Sequence, residues 1–337
     1  MSTHRAVHVQ STGGALELAD AQTVPPERGQ VRVAVAACGV CGTDRAIVNG
    51  GFPGVSFPLT PGHEIAGTVA ETGPGVDEFA VGDRVAIGWF GGACGKCIPC
   101  RKGLFIHCEN GQIPSLHYPG GYAESVTAPA NALARIPDEL SFAEAAPMGC
   151  AGVTTYNALR HTHALPGDLV AVLGVGGLGH LGVQFANAMG FDTVAIARGP
   201  DKEADARALG ARHYIDSTAE DVSAQLQKLG GAAVVLATAG NSQAMADTVG
   251  GLAPRGELVA VGVATDPLAI SPAQLIQPAL SISGHPSGTA RDVEETMRFA
   301  VVSGVRAMIE ERPLADAADA YAAMEEGRAR YRMVLTT

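Results

Sequence analysis

The apolar run Leu169-Val-Ala-Val-Leu173 opens through Gly174-Val-Gly176-Gly177-Leu178-Gly179 onto a helical stretch reaching Met189. A short apolar run followed by spaced glycines and a helix is the start of a strand–turn–helix unit, in which the helix N-terminus is offered to a phosphate. Further apolar runs at Thr193–Ala197, 232–237 and 257–263, with a helical pattern through Leu209 between the first two, predict a parallel sheet covered by helices on both faces. Residues 1–150 read differently. Short alternations such as Val31-Arg32-Val33-Ala34-Val35, broken by Gly and Pro, predict a mostly-β region. The last fifty residues read as helix, then strand, ending at Arg332-Met-Val-Leu335.

A chain of 337 residues, 47% of them hydrophobic, supports two domains with sizeable cores. The formal net charge is −11 and no basic stripe appears, which excludes the positive footprint that a nucleic-acid partner requires. The N-terminal residues lack the apolar core of a secretory signal, and no uncharged apolar run reaches about 18 residues, so no membrane partner and a cytoplasmic location are expected. Seven cysteines, an odd number, make a poor disulfide framework, and their CxxC spacings suit metal binding better.

Cys94, Cys97, Cys100 and Cys108 fall within fifteen positions. Four thiolates at that density suit a closed tetrahedral zinc site, which holds a loop and leaves no position for substrate. Three cysteines remain: Cys38, Cys41 and Cys150. A catalytic zinc needs three protein ligands and one exchangeable position, and two thiolates with the imidazole of His63 would meet that need. Spacing alone leaves open whether the fold brings such distant positions together.

The strings Cys38-Gly-Val-Cys41-Gly42-Thr43-Asp44, Gly62-His63-Glu64, the four-cysteine lobe and Ala146-Pro-Met-Gly-Cys150-Ala-Gly-Val-Thr154 occur in this order. The set resembles the zinc-containing medium-chain alcohol dehydrogenases along nearly the whole chain. Tyr118-Pro-Gly-Gly-Tyr-Ala-Glu124 and Gly179-His-Leu-Gly182 are similar to the cinnamyl alcohol dehydrogenase branch. The resemblance implies an α/β fold: a GroES-like mostly-β catalytic domain over residues 1–151, to which 287–337 returns, and a Rossmann doubly wound domain over 152–286. It implies two zinc ions per chain. Cys41, His63 and Cys150 would hold the catalytic one, with Glu64 behind the metal and entering its shell transiently. Cys94, Cys97, Cys100 and Cys108 would hold the structural one. Cys150, where the polyol dehydrogenase branch has glutamate, favours the alcohol branch. Asp44 would bond the far nitrogen of His63, and Thr43 would pass the alcohol proton outward. The histidine that continues this relay in some relatives is replaced by Ala46, which leaves the cofactor ribose, water, His107 or His117 to carry the proton.

For the cofactor, the Gly174–Gly179 turn, with Leu178 inside it, is the pyrophosphate site. An NAD-binding fold usually ends its second strand with Asp or Glu; aligning back from Lys202 and Leu209-Gly-Ala211 puts Ala197 there, followed by Arg198. A 2′-phosphate is then not repelled and Arg198 can pair with it, so NADP is expected over NAD. The resemblance adds cofactor contacts from Thr154, Val261-Gly262-Val263 and Arg332, and places Ser283 beside the nicotinamide or a subunit contact. Trp89 and Phe90 would help line the substrate pocket. Zinc then acts as a Lewis acid on the substrate oxygen and hydride passes to or from the nicotinamide. The expected reaction is interconversion of an alcohol and an aldehyde, running toward aldehyde reduction with NADPH, in a homodimer or homotetramer. The alternatives are a biosynthetic reductase of an iminium or activated double bond, a zinc-independent enone or quinone reductase, and a non-enzymatic nucleotide-responsive member.

Overall fold

The alternation at Val31–Val35 becomes the long strand Gln30–Gly39, in which Val31, Val33 and Val35 are buried while Arg32 and Ala34 are half-exposed. Its register shifts between Val35 and Ala37, after which Ala37, Cys38, Val40 and Cys41 are all buried and the strand end enters the core. In this computed structural model, which describes residues 2–337, that strand is central to one of two units.

This first unit takes the residues up to Val153 with Ser287–Val302 and Arg306–Thr337. Its seven-stranded sheet runs in the order Ile309–Pro313, Arg332–Thr336, Gln30–Gly39, Ile65–Thr72, Arg84–Ile87 and Leu133–Arg135, with Ser125–Pro129 also on Gln30–Gly39. All its pairings are antiparallel except that of Ile309–Pro313 with Arg332–Thr336. Thr3–His8 and Glu17–Gln22 form a separate hairpin. The core combines Val7, Val9, the three valines of Gln30–Gly39, Ile65, Ile87 and Tyr122 with Leu314, Tyr321, Met333 and Leu335. The closing segment carries more than one helix and one strand. It runs as helix Ala290–Ser303, strand Ile309–Pro313, helix Ala317–Glu325 and strand Arg332–Thr336.

The second unit, Thr154–Pro286 with Ser303–Val305, is a six-stranded parallel sheet. Its order is His213–Asp216, Asp192–Ala197, Leu169–Leu173, Ala232–Ala237, Leu252–Ala260 and Ser281–Gly284. Numbered within the sheet this is 3-2-1-4-5-6, the doubly wound dinucleotide-binding arrangement, with its switch point beside the first strand. Leu169–Leu173 is buried at every position, as a central parallel strand must be. The run at 257–263 ends three residues early. The Val261 and Gly262 N–H groups both turn back to the Ala237 carbonyl, so Val261–Val263 leave the strand as a loop. Among the described residues, no helix is long and apolar enough to cross a membrane.

Candidate active site

Three neighbouring strands deliver one cluster. Gln30–Gly39 runs out into Cys41; His63 and Glu64 immediately precede Ile65–Thr72; Arg332 begins the strand on the other side. The ladder pairs Cys38 with both Ile65 and Leu335, and Gly39 with Val334, so all three sets of residues lie at one end of the sheet. Cys150 joins them from the end of the 3-10 turn Ala146–Gly149. One ligand atom from each of Cys41, His63, Glu64 and Cys150 lies within 4.8 Å of the others.

Asp44 organises this cluster. It is fully buried, and its Oδ1 takes His63 Nδ1 at 2.8 Å while its Oδ2 accepts from the Cys41 N–H and the Tyr122 hydroxyl, each at 2.9 Å. A neutral imidazole whose Nδ1 donates to a carboxylate presents Nε2 as a bare lone pair, the form that a bound cation selects. That Nε2 is buried and has no protein partner. A buried polar atom without a partner is costly, so a cation among the cluster fits the donor set that the fold has assembled. Burial works against charge on His63, but Asp44 and the Cys41 sulfur hold its pKa well above the ordinary value. The Cys150 thiol donates to the Cys41 sulfur, which pulls Cys41 well below the usual thiol range against the effect of burial, with His63 and Arg332 assisting.

Glu64 is fully buried and Arg332 is 3% exposed. The Arg332 Nη2 reaches both Glu64 oxygens at 2.5 Å. Burial pushes Glu64 up to about 8 even beside that guanidinium. Arg332, expected at the pyrophosphate, is thus a partner of the carboxylate behind the cluster. Trp89 stands edge-on to His63 at 5.4 Å between ring centroids and is itself backed by Phe52 at 5.5 Å. Phe90 lines a cavity of about 340 Å³ with Phe105, Asn131 and Leu133. Thr43 is half-buried in the first turn of helix Gly42–Val48 and its hydroxyl has no protein partner. His107 and His117 are both exposed, and His117 Nδ1 accepts from the Ile113 N–H at 3.1 Å within its own loop.

The four-cysteine lobe closes around the short helix Ile98–Arg101 and the turn Phe105–His107. Four sulfurs about 2.3 Å from one ion stand about 3.8 Å apart at tetrahedral corners. Cys97 and Cys108 sulfurs are 3.8 Å apart, and those of Cys108 and Cys94 are 3.6 Å apart. The Cys94 and Asn110 N–H groups point at Cys108 sulfur from 3.3 and 3.4 Å, the pattern expected around thiolates. The Lys96 and Cys97 N–H groups hold Cys94 down to about 6. Burial beside two other thiols pushes Cys100 up to about 12, a bias that a bound cation reverses. Cys38 stays apart, buried and pushed well up by that burial, with its thiol on the Gly39 carbonyl.

In the second unit the glycine turn has the required form. Gly174 has φ +95° and bonds the Ile196 carbonyl, and a Cβ on Gly179 would land on the Gly174 carbonyl. Helix Gly179–Ala188 follows Gly176 and Gly177 directly and begins at Leu178 with no side-chain cap on its first turn. The Lys202 ammonium reaches the Val175 carbonyl of this turn at 2.7 Å. Ala197 ends its strand directly across from Asp216, and Arg198 is exposed with no ion pair or hydrogen bond among the described residues. Asp216 Oδ1 accepts from Gly199 N–H at 2.8 Å and from Thr218 N–H and hydroxyl at 2.9 and 2.7 Å. Thr154 is buried, Val263 is exposed, and the Ser283 hydroxyl is taken by Glu257 at 2.7 Å.

Sequence reasoning missed Tyr122, Phe52 and the Glu64–Arg332 pair. Gly120-Gly121 before Tyr122 was a signal of close backbone approach there; nothing local announced the other two.

Residues 27–138 match the family model of the alcohol dehydrogenase GroES-like domain, and residues 177–301 match that of the zinc-binding dehydrogenases. An alcohol dehydrogenase of Penicillium expansum is 41% identical over 99% of this chain and 98% of its own. A solved cinnamyl alcohol dehydrogenase of Sorghum bicolor superposes with a TM-score of 0.91 at 28% identity, covering 99% of this chain and 98% of its own. A solved NAD-dependent alcohol dehydrogenase does so with a TM-score of 0.91 at 29% identity, covering 99% of each. A cysteine–histidine cluster at one end of a mostly-β sheet, a doubly wound sheet and kinship of this extent place the chain in the zinc-binding medium-chain alcohol dehydrogenase family, as a zinc-dependent alcohol dehydrogenase with a nicotinamide cofactor.

Proposed function

We propose that the protein interconverts an alcohol and an aldehyde, running toward aldehyde reduction with NADPH, at a zinc held by Cys41, His63 and Cys150. The observation that carries this reading is the buried, unpartnered Nε2 of His63 facing two cysteine sulfurs and Glu64. Two sulfurs and one nitrogen leave a fourth tetrahedral position for a substrate oxygen. When bound, zinc supplies Lewis acidity to that oxygen and the nicotinamide supplies or accepts the hydride. The chain's own residues do the rest. Asp44 fixes the His63 ring, and Arg332 holds Glu64 beside the ligands without leaving its charge bare. In this reading the Thr43 hydroxyl passes a proton outward. Trp89 and Phe52 present apolar faces that exclude water and favour an aryl or medium aliphatic group. A second zinc in the Cys94–Cys108 lobe fixes that loop, supported by the sulfur spacings of 3.6 and 3.8 Å.

The preference for NADP rests on side chains, since the same fold serves a relative named as NAD-dependent. Ala197 offers no carboxylate to a ribose 2′-hydroxyl. Asp216 opposite it is committed to Gly199 and Thr218, and Arg198 is free to meet a 2′-phosphate. Thr154, Val261–Val263 and Lys202 line the rest of the cofactor's course in this reading. A homodimer or homotetramer is part of the proposal. Its support is the outer edge of Ser281–Gly284, unpaired within the chain, and the exposed apolar Val263 and Ile276. So is a cytoplasmic location, where thiols stay reduced and available to metal. The deciding experiment is turnover of a panel of alcohols and aldehydes with NADPH and NADH, before and after chelation. Full activity in protein stripped of metal, or turnover of enones and iminium substrates alone, would overturn the reading.

A further inference from the structure

We propose that Tyr122 is a positioning residue for the catalytic metal. Its hydroxyl locks Asp44, and through Asp44 the His63 ring, in the orientation that aims Nε2 at the ion. This rests on the reading that Cys41, His63 and Cys150 hold zinc.

A carboxylate that accepts from one imidazole can swing about its last torsion and still keep that bond. Asp44 cannot, because its Oδ2 is pinned from two sides by groups far apart in sequence. One is the Cys41 N–H, at the start of the helix carrying Asp44. The other is the Tyr122 hydroxyl, 78 residues away. With Oδ2 fixed, Oδ1 has one direction left and His63 Nδ1 occupies it at 2.8 Å. Tyr122, Asp44 and His63 are all fully buried, so no water competes for these bonds. Burial and the Asp44 charge keep the phenol protonated, and therefore a donor.

The chain makes room for this hydroxyl at some cost. Gly62, the residue before His63, has φ +102°, and a Cβ there would collide with the Tyr122 ring and lie 2.8 Å from the Cys38 sulfur. The backbone around Tyr122 is laced to the segment that carries His63. Gly120 N–H reaches the Thr60 carbonyl at 2.9 Å, Gly121 N–H the Gly62 carbonyl at 2.8 Å and Tyr122 N–H the Pro61 carbonyl at 2.9 Å. Tyr122 therefore moves with His63 and reaches across to Asp44, closing a ring of contacts behind the ligand. Phenylalanine would fill the same space, so packing alone does not call for the oxygen.

Tyr122→Phe keeps the ring and removes only that donor. Groups that orient a ligating histidine change metal affinity by about 10–100-fold when lost, and one of the two donors on Asp44 Oδ2 falls at the lower end, about tenfold. Competition with a chromophoric chelator should show catalytic zinc about tenfold weaker in Tyr122→Phe, with the zinc of the Cys94–Cys108 lobe unchanged as an internal control. Cobalt in the catalytic site should show a shifted visible band, a change that the stability cost of losing one buried hydrogen bond does not by itself produce. Because the effect runs through Asp44, adding Tyr122→Phe to Asp44→Asn should weaken zinc no further. Parental affinity and cobalt spectrum in Tyr122→Phe would overturn the proposal, as would a loss that adds in full to that of Asp44→Asn. A parent protein that loses no zinc on Cys150→Ser would instead overturn the metal reading, and this proposal with it.

Discussion

Replacing Arg198 by alanine tests the cofactor assignment at an uncommitted positive charge beside the second strand's end. Arg198 is exposed and makes no ion pair, so its attraction for a phosphate acts at close to the dielectric of water. Unit charges 4 Å apart are then worth about 1 kcal/mol, and a phosphate carrying about −1.5 to −2 raises that in proportion, a factor of about 10–30 in binding. The Asp216 carboxylate on the same turn works against the anion, so the lower end applies. Arg198→Ala should cut kcat/KM for NADPH about tenfold and leave NADH within about twofold. The gap between parent and variant should close in about 1 M salt, where the Debye length has shrunk to about 3 Å. Ala197→Asp should move preference the other way, by offering a carboxylate to the ribose 2′-hydroxyl and repelling the phosphate. Steady-state kinetics with both cofactors at two salt concentrations measure all of this. A parent enzyme that uses both cofactors equally, or an Arg198→Ala loss equal for both, would refute the charge argument.

Three further outcomes follow from the geometry. Chelation should abolish turnover and added zinc restore it, while Cys97→Ser should lower the zinc content from two ions to one and reduce the thermal midpoint; metal analysis with thermal melts checks both. Gly62→Ala forces a methyl into the Tyr122 ring at φ +102° and should cost about 2–4 kcal/mol in urea unfolding, so a loss below about 0.5 kcal/mol would contradict the packing described. Asp216 is held below its ordinary 3.8 first by Thr218 and then by Gly199 N–H. Its contribution is therefore complete above the unfolded value and disappears as pH falls through the depressed folded one. Asp216→Asn should destabilise the protein at pH 7, and by less at pH 2. An equal gap at both would show that the carboxylate's charge is not what holds the turn.

What the sequence disclosed and what it withheld divide along a physical line. The glycine turn was legible because its requirements are local. Gly174 needs φ +95° and Gly179 must clear the Gly174 carbonyl, and both constraints are written within six residues. The four-cysteine lobe was legible for the same reason, since a closed metal site within fifteen positions leaves its spacing in the chain. The cysteine–histidine cluster was legible only through likeness to a family, because Cys41 and His63 meet by strand register, Cys38 lying opposite Ile65, and Cys150 arrives from a separate turn; nothing in these segments states that meeting. The run at 257–263 read as strand throughout, yet its last residues bend away because two N–H groups share the Ala237 carbonyl, a partner set by the neighbouring strand.

The supporting contacts were illegible in principle. Glu64 finds Arg332 across 268 residues and Asp44 finds Tyr122 across 78, each through a bond that exists only once the sheet is assembled. Such partners carry no spacing signature, because their position is fixed by the fold and not by the chain. They nevertheless decide how the legible ligands behave: an imidazole presents the correct nitrogen only if its carboxylate stays put, and a buried glutamate is tolerated only beside its guanidinium. A family pattern that transfers Cys41, His63 and Cys150 therefore transfers the donor set, while the contacts behind that set come in this chain from Tyr122 and Arg332. Grafting the three ligands onto a related sheet without those two partners should yield a site that binds zinc more weakly, and restoring the tyrosine hydroxyl alone should recover part of the loss.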